Sequence, residues 1–186
     1  RCCRRQRQMC IRDSSCAAGS YINGCNGNHG VSYPSPVPLP TGRSATAVST
    51  SYYHTCAILD DGSVWCWGSN QYGRLGGGNV TDSGDWRYSP NEVMMPLSTS
   101  AAGISTGTDH SCMVVDDGRA FCWGRADWGL LGNGISQQSQ SIPDQVSGTA
   151  SYVSISASER LTCAITDLGS VQCWGRNYYG VLGNPL

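Results

Sequence analysis

Lysine is absent: all twelve basic residues are arginine. Charge is sparse throughout, with 13% of residues Asp, Glu, Lys or Arg against about 25% in an ordinary globular domain. Runs rich in Ala, Leu, Glu and Lys are missing, so helix-building stretches are scarce. There is no apolar run of the roughly 18 residues that a membrane-spanning helix needs. Also missing are a Ser-His-Asp spacing, a phosphate loop and a His-Glu-x-x-His motif. No catalytic residue, metal ligand or cofactor is therefore assigned, and the expectation is a protein that is not an enzyme.

What remains is glycine, with 24 residues, and cysteine, with 11. A glycine-rich, serine-rich chain with few helix formers points to a turn-rich β protein. So many cysteines, three pairs of them at one repeated spacing, indicate a disulfide framework and an oxidising compartment. The chain opens on Arg1 with no hydrophobic leader and reads as a mature or trimmed product of secretion. Five arginines (Arg1, Arg4, Arg5, Arg7, Arg12) lie in the first twelve positions; beyond them seven arginines face thirteen acidic residues. The cluster reads either as a solvated or processed terminus or as a cationic contact for an acidic partner. The acidic remainder repels phosphate, so nucleic acid is not expected as a partner.

An internal repeat organises the rest. His54–Gly68, His110–Gly124 and Leu161–Gly175 align without gaps, each with Cys at its third and thirteenth positions and Trp-Gly at its end. Each runs on into Tyr72-Gly-Arg-Leu-Gly76, Trp128-Gly-Leu-Leu-Gly132 or Tyr179-Gly-Val-Leu-Gly183. Cys112 follows Cys56 by 56 residues, and Cys163 follows Cys112 by 51, near the period of a propeller blade. Between each Cys pair the residues read strand, turn, strand, with Gly62, Gly118 and Gly169 placed to close a type I turn in the left-handed region. The pairs Cys56–Cys66, Cys112–Cys122 and Cys163–Cys173 then face each other across a hairpin. Zinc would need four ligands at short spacing, which a ten-residue spacing centred on a turn does not offer.

The fold predicted is all-β: three propeller-type blades of antiparallel strands over residues 45–186, open or completed by other chains. They stand behind a small disulfide-rich head (1–30) and a proline-rich linker (31–44). Ala45–Ser51, Ala102–Thr106 and Ala150–Ala157 read as inner strands, and 77–91 and 133–144 as long surface loops. The head holds Cys2, Cys3, Cys10, Cys16 and Cys25 in no assigned pairing and must depend on disulfides. In the linker, Pro34, Pro36, Pro38 and Pro40 favour an extended spacer. They are equally candidates for hydroxylation and O-glycosylation.

These motifs, from the His-Thr/Ser at 54–55 and 110–111 through the Asp-Gly turn to Trp-Gly and Tyr/Trp-Gly-x-Leu-Gly, resemble the regulator of chromosome condensation repeat family. The resemblance covers about three quarters of the chain and implies blades of four antiparallel strands. Paired cysteines in every repeat look like a secreted branch of that family. Such propellers close with about seven blades, and three are found here; the third has Leu161 where His leads the others. Exchange-factor and chromatin activities are not carried over. The segment Cys16–Cys25 resembles a fragment of an ephrin-receptor-type cysteine-rich module. Head and blades together look like mastigoneme-type surface proteins.

His54 and His110 recur at one repeat position, which suits blade packing. Asp60, Asp61, Asp116 and Asp117 are explained by turn chemistry, with calcium as the alternative. Trp67, Trp123 and Trp174 are expected in the core, while Trp86 and Trp128 read first as core or loop packing, with a contact surface as the alternative. Asn79-Val-Thr81 is an N-glycosylation sequon in an expected loop. Two functions fit. One is a structural subunit of an extracellular filament, appendage or coat, built from copies of the chain head to tail. The other is a secreted binding module that recognises a protein or glycan through its loops.

Overall fold

The computed structural model describes residues 34–79 and 85–183. The five head cysteines, the Arg1–Arg12 cluster and Thr81 of the sequon lie outside the described residues. The chain divides into two compact units, Arg1–Pro38 and Leu39–Leu186. As the sequence predicts, the architecture is all-β, with three antiparallel sheets. Blade 1 is β1 (Ala45–Thr50), β2 (His54–Leu59), β3 (Val64–Ser69) and β4 (Trp86–Glu92), in that spatial order. Blade 2 repeats it with β5 (Ala101–Thr106), β6 (His110–Val115), β7 (Ala120–Gly124) and β8 (Gln140–Gln145). Blade 3 has β9 (Tyr152–Ala157), β10 (Leu161–Thr166) and β11 (Val171–Gly175) among the described residues.

Two of the expected loops are corrected: 77–91 and 133–144 carry most of β4 and β8. Their Ser, Gly and Asn content reads as loop, and Pro90 and Pro143 sit inside the strands. The strands pair on one side only, with β3 and β7, and an edge strand tolerates proline because its outward N–H has no ladder partner. Register shifts between Cys66 and Gly68 and between Cys122 and Gly124 absorb the irregularity.

The central hairpins form where Cys56 pairs in register with Cys66, Cys112 with Cys122 and Cys163 with Cys173. Each pair is disulfide-bonded with Cα atoms 4.1 Å apart. In the first turn the Gly62 N–H donates to the Leu59 carbonyl at 2.9 Å and Gly62 takes φ 79°, a value that costs any residue with a Cβ.

The core lies between blades. Cys56, Ile58, Val64, Cys66 and Leu75 of blade 1 pack on Met113, Val115, Phe121 and Trp123 of blade 2. The other face of blade 2 (Cys112, Val114, Ala120, Cys122, Leu131) packs on Tyr152 and Ala164 of blade 3. β6 and β7 are therefore buried at every position, whereas β10 alternates. The tryptophan expectation needs correction: Trp123 is fully buried, but Trp67 and Trp174 are half-buried. Trp67 lies on the side of blade 1 away from blade 2, and its indole N–H meets no acceptor among the described residues.

Polar bonds fix the register between blades. The Ser111 hydroxyl and the Trp123 indole N–H both donate to the Arg74 carbonyl, at 3.0 and 2.9 Å. His54 Nε2 lies 2.7 Å from the same hydroxyl. A hydroxyl has one proton, and it is committed to the carbonyl, so Nε2 carries the proton and donates. Joint 2 is the same: Thr162 and Trp174 donate to the Leu130 carbonyl at 3.2 and 3.0 Å, with His110 Nε2 2.8 Å from the Thr162 hydroxyl. At the far end of each blade the Ala101 N–H donates to the Gly62 carbonyl, and the Tyr152 N–H to the Gly118 carbonyl, at 2.9 and 2.8 Å. Midway, the Ser49 hydroxyl oxygen accepts from the Thr106 N–H and that of Ser105 from the Ala157 N–H, at 3.0 and 2.8 Å.

The second acceptor position of each imidazole differs. His54 Nδ1 lies 3.0 Å from the Ser51 hydroxyl, which also has the His54 carbonyl as an acceptor at 3.0 Å, while His110 Nδ1 is buried without a partner among the described residues. The residue equivalent to Ser51 is Gly107, where a Cβ would collide with the His110 ring and the Ser158 carbonyl. Burial depresses both imidazoles, with Arg74 adding to the effect at His54: to about 3 for His54 and about 4 for His110. An unfolded histidine takes its proton near pH 6.5, so between that pH and the folded values the unfolded chain binds more protons. The stability supplied by the neutral imidazoles is present above about pH 6.5 and is lost as pH falls, by about 1.4 kcal/mol per histidine per pH unit. Thermal melts from pH 7.5 to 4.5 are expected to show a falling midpoint, flattened when His54 and His110 are both replaced by Gln.

Candidate functional site

The repeated Tyr/Trp-Gly-x-Leu-Gly motif leaves the third strand of each blade through a tight turn. Tyr72, Trp128 and Tyr179 occupy the left-handed region there, at φ 62°, 59° and 68°. Each is followed by a glycine that is also left-handed, at φ 75°, 73° and 72°. A bulky residue at positive φ is an outlier that costs about 1–3 kcal/mol and points to a functional constraint. Here it recurs at one position in three blades. In each blade it lies at the strand end that also carries the first β-turn connection (51–53, 107–109, 158–160).

The result is a ladder in which rings and guanidinium groups alternate across the blades. Arg74 Cζ lies 5.2 Å from the Tyr53 ring centre and 5.7 Å from that of Tyr72. Arg125 lies 5.0 Å from both Tyr72 and Trp128. Arg160 and Arg176 each approach Trp128 to 5.0 Å, and Arg176 reaches Tyr178 at 4.8 Å. All are within cation–π range. Carboxylates tie the inner rungs: Asp109 holds Arg74 and Arg125 at 3.1 Å each, and Asp127 holds Arg125 at 2.6 Å.

Arg74 is fully buried, and its fork is satisfied by the Gln71 and Thr108 carbonyls at 2.8 and 3.0 Å. It is a strut and not an open contact. The outer end is different. Among the described residues Arg160 has one carboxylate, that of exposed Glu159 at 3.1 Å, and Arg176 has none. Beside them Trp128, Tyr178 and Tyr179 are 42%, 56% and 91% exposed. Arg160, Arg176, Tyr178, Tyr179 and Val181 line one open pocket, with Glu159 beside Arg160 at its edge. An arrangement of this kind can hold an anionic group between guanidinium groups and stack a planar or sugar ring on tyrosine or tryptophan.

Trp128, singled out in the sequence, is thus the ladder's central rung, whereas Trp86 lies half-exposed on edge strand β4 outside it. The arginines were missed. Their signal was available, since Arg125 and Arg176 each precede the left-handed aromatic by three residues. The acidic turns stand at the opposite strand end. Asp61 accepts from the Ser63 hydroxyl and N–H at 2.6 and 3.0 Å and pairs with Arg43 at 2.9 Å; those Ser63 bonds hold it below the usual carboxylate range. Asp60 lies 3.6 Å from Arg43, and Asp117 pairs with Arg119 at 2.7 Å. Among the described residues no three His, Cys, Asp or Glu gather into a metal-binding group. Asn79 is exposed, and its carbonyl accepts from the Asn70 amide at 3.0 Å. Pro34, Pro36 and Pro38 are exposed and Pro40 half-buried, outside any regular element. Replacing Asp109 by Asn leaves the buried Arg74 charge without its carboxylate and is expected to cost about 2 kcal/mol, read as a shift in the denaturant midpoint.

Comparison with known proteins agrees with this geometry. The model described as "Regulator of chromosome condensation (RCC1) repeat" matches residues 61–114 and 117–165, and a second model of the same description matches 45–74, 102–127 and 152–181. The human E3 ubiquitin-protein ligase HERC2 is 30% identical over 146 residues, covering 74% of this chain and 3% of the ligase. The ultraviolet-B receptor UVR8 of Arabidopsis thaliana is 28% identical over 194 residues, covering 96% of this chain and 43% of the receptor. Among solved structures, Prp20p of Saccharomyces cerevisiae superposes with a TM-score of 0.70 at 21% identity, over 76% of this chain and 36% of that one. Human WBSCR16 does so with a TM-score of 0.68 at 25% identity, over 77% and 38%. The chain spans less than half the length of these relatives. With the repeat models matched over more than half of its residues and the blades folded as theirs are, the chain belongs to the regulator of chromosome condensation repeat family.

Proposed function

We propose that this chain is a secreted, non-catalytic binding module whose ladder face receives an acidic saccharide. The observation that carries the reading is Arg176, a guanidinium stacked between Trp128 and Tyr178 with no carboxylate of its own among the described residues. An uronate or sulfate supplies the missing anion, and the exposed rings beside it offer flat apolar surface to a sugar. Three disulfides support an oxidising compartment, where exposed Asn79 would carry an N-glycan. The ligase and receptor activities named for its relatives belong to proteins that this chain covers only in part, and they are not transferred.

A second reading, a structural subunit of an extracellular filament, appendage or coat, is favoured by one observation. The outer face of blade 3 presents Ile165, Val171 and Val181 at 43%, 66% and 49% exposure, an apolar face of the kind that blades 1 and 2 bury.

The binding reading is tested on immobilised polygalacturonate, with a neutral β-glucan as control. Retention on the acidic polymer alone is expected, weakening as salt screens the charges. Trp128→Ala and Arg176→Ala are each expected to lower affinity about tenfold. Equal binding to both polymers, or variants that bind as the parent does, contradicts the reading.

A further inference from the structure

Each blade carries the same three positions at its ladder end. One precedes the first residue of the central hairpin (Tyr53, Asp109, Arg160), one follows Trp-Gly (Ser69, Arg125, Arg176), and one precedes the left-handed aromatic (Gln71, Asp127, Tyr178). The first two are joined through the main chain in every blade. Ser69, Arg125 and Arg176 donate their N–H to the carbonyls of Tyr53, Asp109 and Arg160, at 2.9, 2.9 and 2.8 Å. With the backbone constant, only the side chains differ. The set is uncharged in blade 1. In blade 2 it has two carboxylates about one guanidinium, and in blade 3 two guanidinium groups and a phenol.

Both carboxylates that clamp Arg125 belong to its own blade, Asp109 at 3.1 Å and Asp127 at 2.6 Å. What Arg176 receives at those two positions is therefore decided inside blade 3, where Arg160 and Tyr178 stand. Three guanidinium groups converge on the Trp128 ring, each 5.0 Å from its centre, in unequal states. Arg125 is neutralised twice, Arg160 has Glu159 at 3.1 Å, and Arg176 has no carboxylate among the described residues. Along the ladder, the four guanidinium groups of Arg74, Arg125, Arg160 and Arg176 meet the three carboxylates of Asp109, Asp127 and Glu159. Four less three leaves one positive charge.

Glu159 differs from the two aspartates. Its side chain is 69% exposed, it borders the pocket that holds Arg160 and Arg176, and its repeat position is taken by Tyr52 in blade 1 and Thr108 in blade 2. An exposed ion pair adds little stability, so Glu159 is not a strut. Its effect is on charge: it holds the rim at one net positive charge where two would otherwise stand. A fixed like charge beside a binding site excludes partners that place a second anion there.

We propose that Glu159 is the specificity-determining residue of the ladder face, limiting it to saccharides with one anionic group per sugar ring and turning away chains whose anions are clustered. The first anion settles on Arg176, with its sugar stacked on Trp128 or Tyr178. A second anion on the same sugar comes up against the Glu159 carboxylate and finds no free guanidinium to offset the repulsion. A cationic surface without this carboxylate would rank ligands the other way, holding the densest polyanion most strongly. The inference rests on the acidic-saccharide reading and deepens it.

The test compares affinity for polygalacturonate, with one carboxylate on each sugar, and for heparin, whose sulfates and carboxylates are clustered several to a disaccharide. The parent chain is expected to prefer polygalacturonate by about tenfold, the reverse of the order that charge density alone gives. Glu159→Gln is expected to strengthen heparin binding about tenfold while polygalacturonate binding stays within about threefold, so that the preference is lost. Heparin binding by this variant also falls more steeply with salt, because a second guanidinium is open to ion pairing. Glu159→Asp keeps the charge and with it the parental preference. A residue with only a structural role would move both affinities together. A parent that prefers heparin, or a Glu159→Gln variant that keeps the parental preference, overturns the inference and leaves the acidic-saccharide reading standing; binding to neither polymer overturns both.

Discussion

The structure depends on a carbonyl oxygen accepting two bonds at once. The Arg74 carbonyl takes the Ser111 hydroxyl and the Trp123 indole of the next blade, which fills both of its lone pairs. The hydroxyl that donates to it must then accept from an imidazole N–H, and that forces His54 into one tautomer and out of the charged state. Apolar packing between blades is strong but non-directional; sheets that slid past one another by a residue could still bury cysteine, valine and leucine. The relay cannot slide, because every member has one partner of the right polarity. Blade 3, with Thr162, Trp174 and the Leu130 carbonyl in the same roles, repeats the device with different side chains around it.

Register at the joint also sets what happens at the rim. With the Gly-x-Leu-Gly turn pinned under the next blade's tryptophan, the aromatic residue two positions before x is driven to the loop end of the sheet in a left-handed conformation. Rings from successive blades then stand at a spacing that an arginine fills. Arg74 shows the coupling directly: its carbonyl is the joint acceptor, while its guanidinium stacks on Tyr53 and Tyr72 and pairs with Asp109 of the next blade. Because the ladder is bound to the joint in this way, its outer rungs, Arg160 and Arg176, inherit a fixed position without carboxylates to neutralise both.

Much of this was legible in the sequence. The cysteine spacing about a glycine-closed turn placed the central hairpins, and the recurrence of His54 and His110 pointed to packing. The inner strands read correctly to within two residues, because Val-Ser-Ile-Ser-Ala alternates in the way that a half-buried strand does. The outer strands did not read as strands, since their segments are rich in Ser, Gly and Asn; the strands also hold Pro90 and Pro143, which only the edge position makes acceptable. Trp67 was placed in the core because its repeat mates are tryptophans too; the repeat fixes its place in the blade, but burial depends on a neighbour that Trp67 lacks among the described residues. The ladder as a whole escaped because the pairs that link its rungs join residues from different blades: Tyr72 with Arg125, and Trp128 with Arg160 and Arg176. Sequence spacing reports contacts within a blade more readily than contacts across a joint.

The state of the two joint histidines tests this account most directly. Long-range proton–nitrogen correlation spectra of protein labelled with nitrogen-15 at histidine distinguish the two neutral tautomers from the imidazolium. His54 and His110 are expected to show protonated Nε2 and bare Nδ1 at pH 7. Both should remain neutral at pH 5, where an ordinary histidine near 6.5 is charged, since burial holds them at about 3 and about 4. A proton on Nδ1 in either residue, or conversion to imidazolium near pH 6 with the fold intact, would contradict the relay on which the blade joints rest.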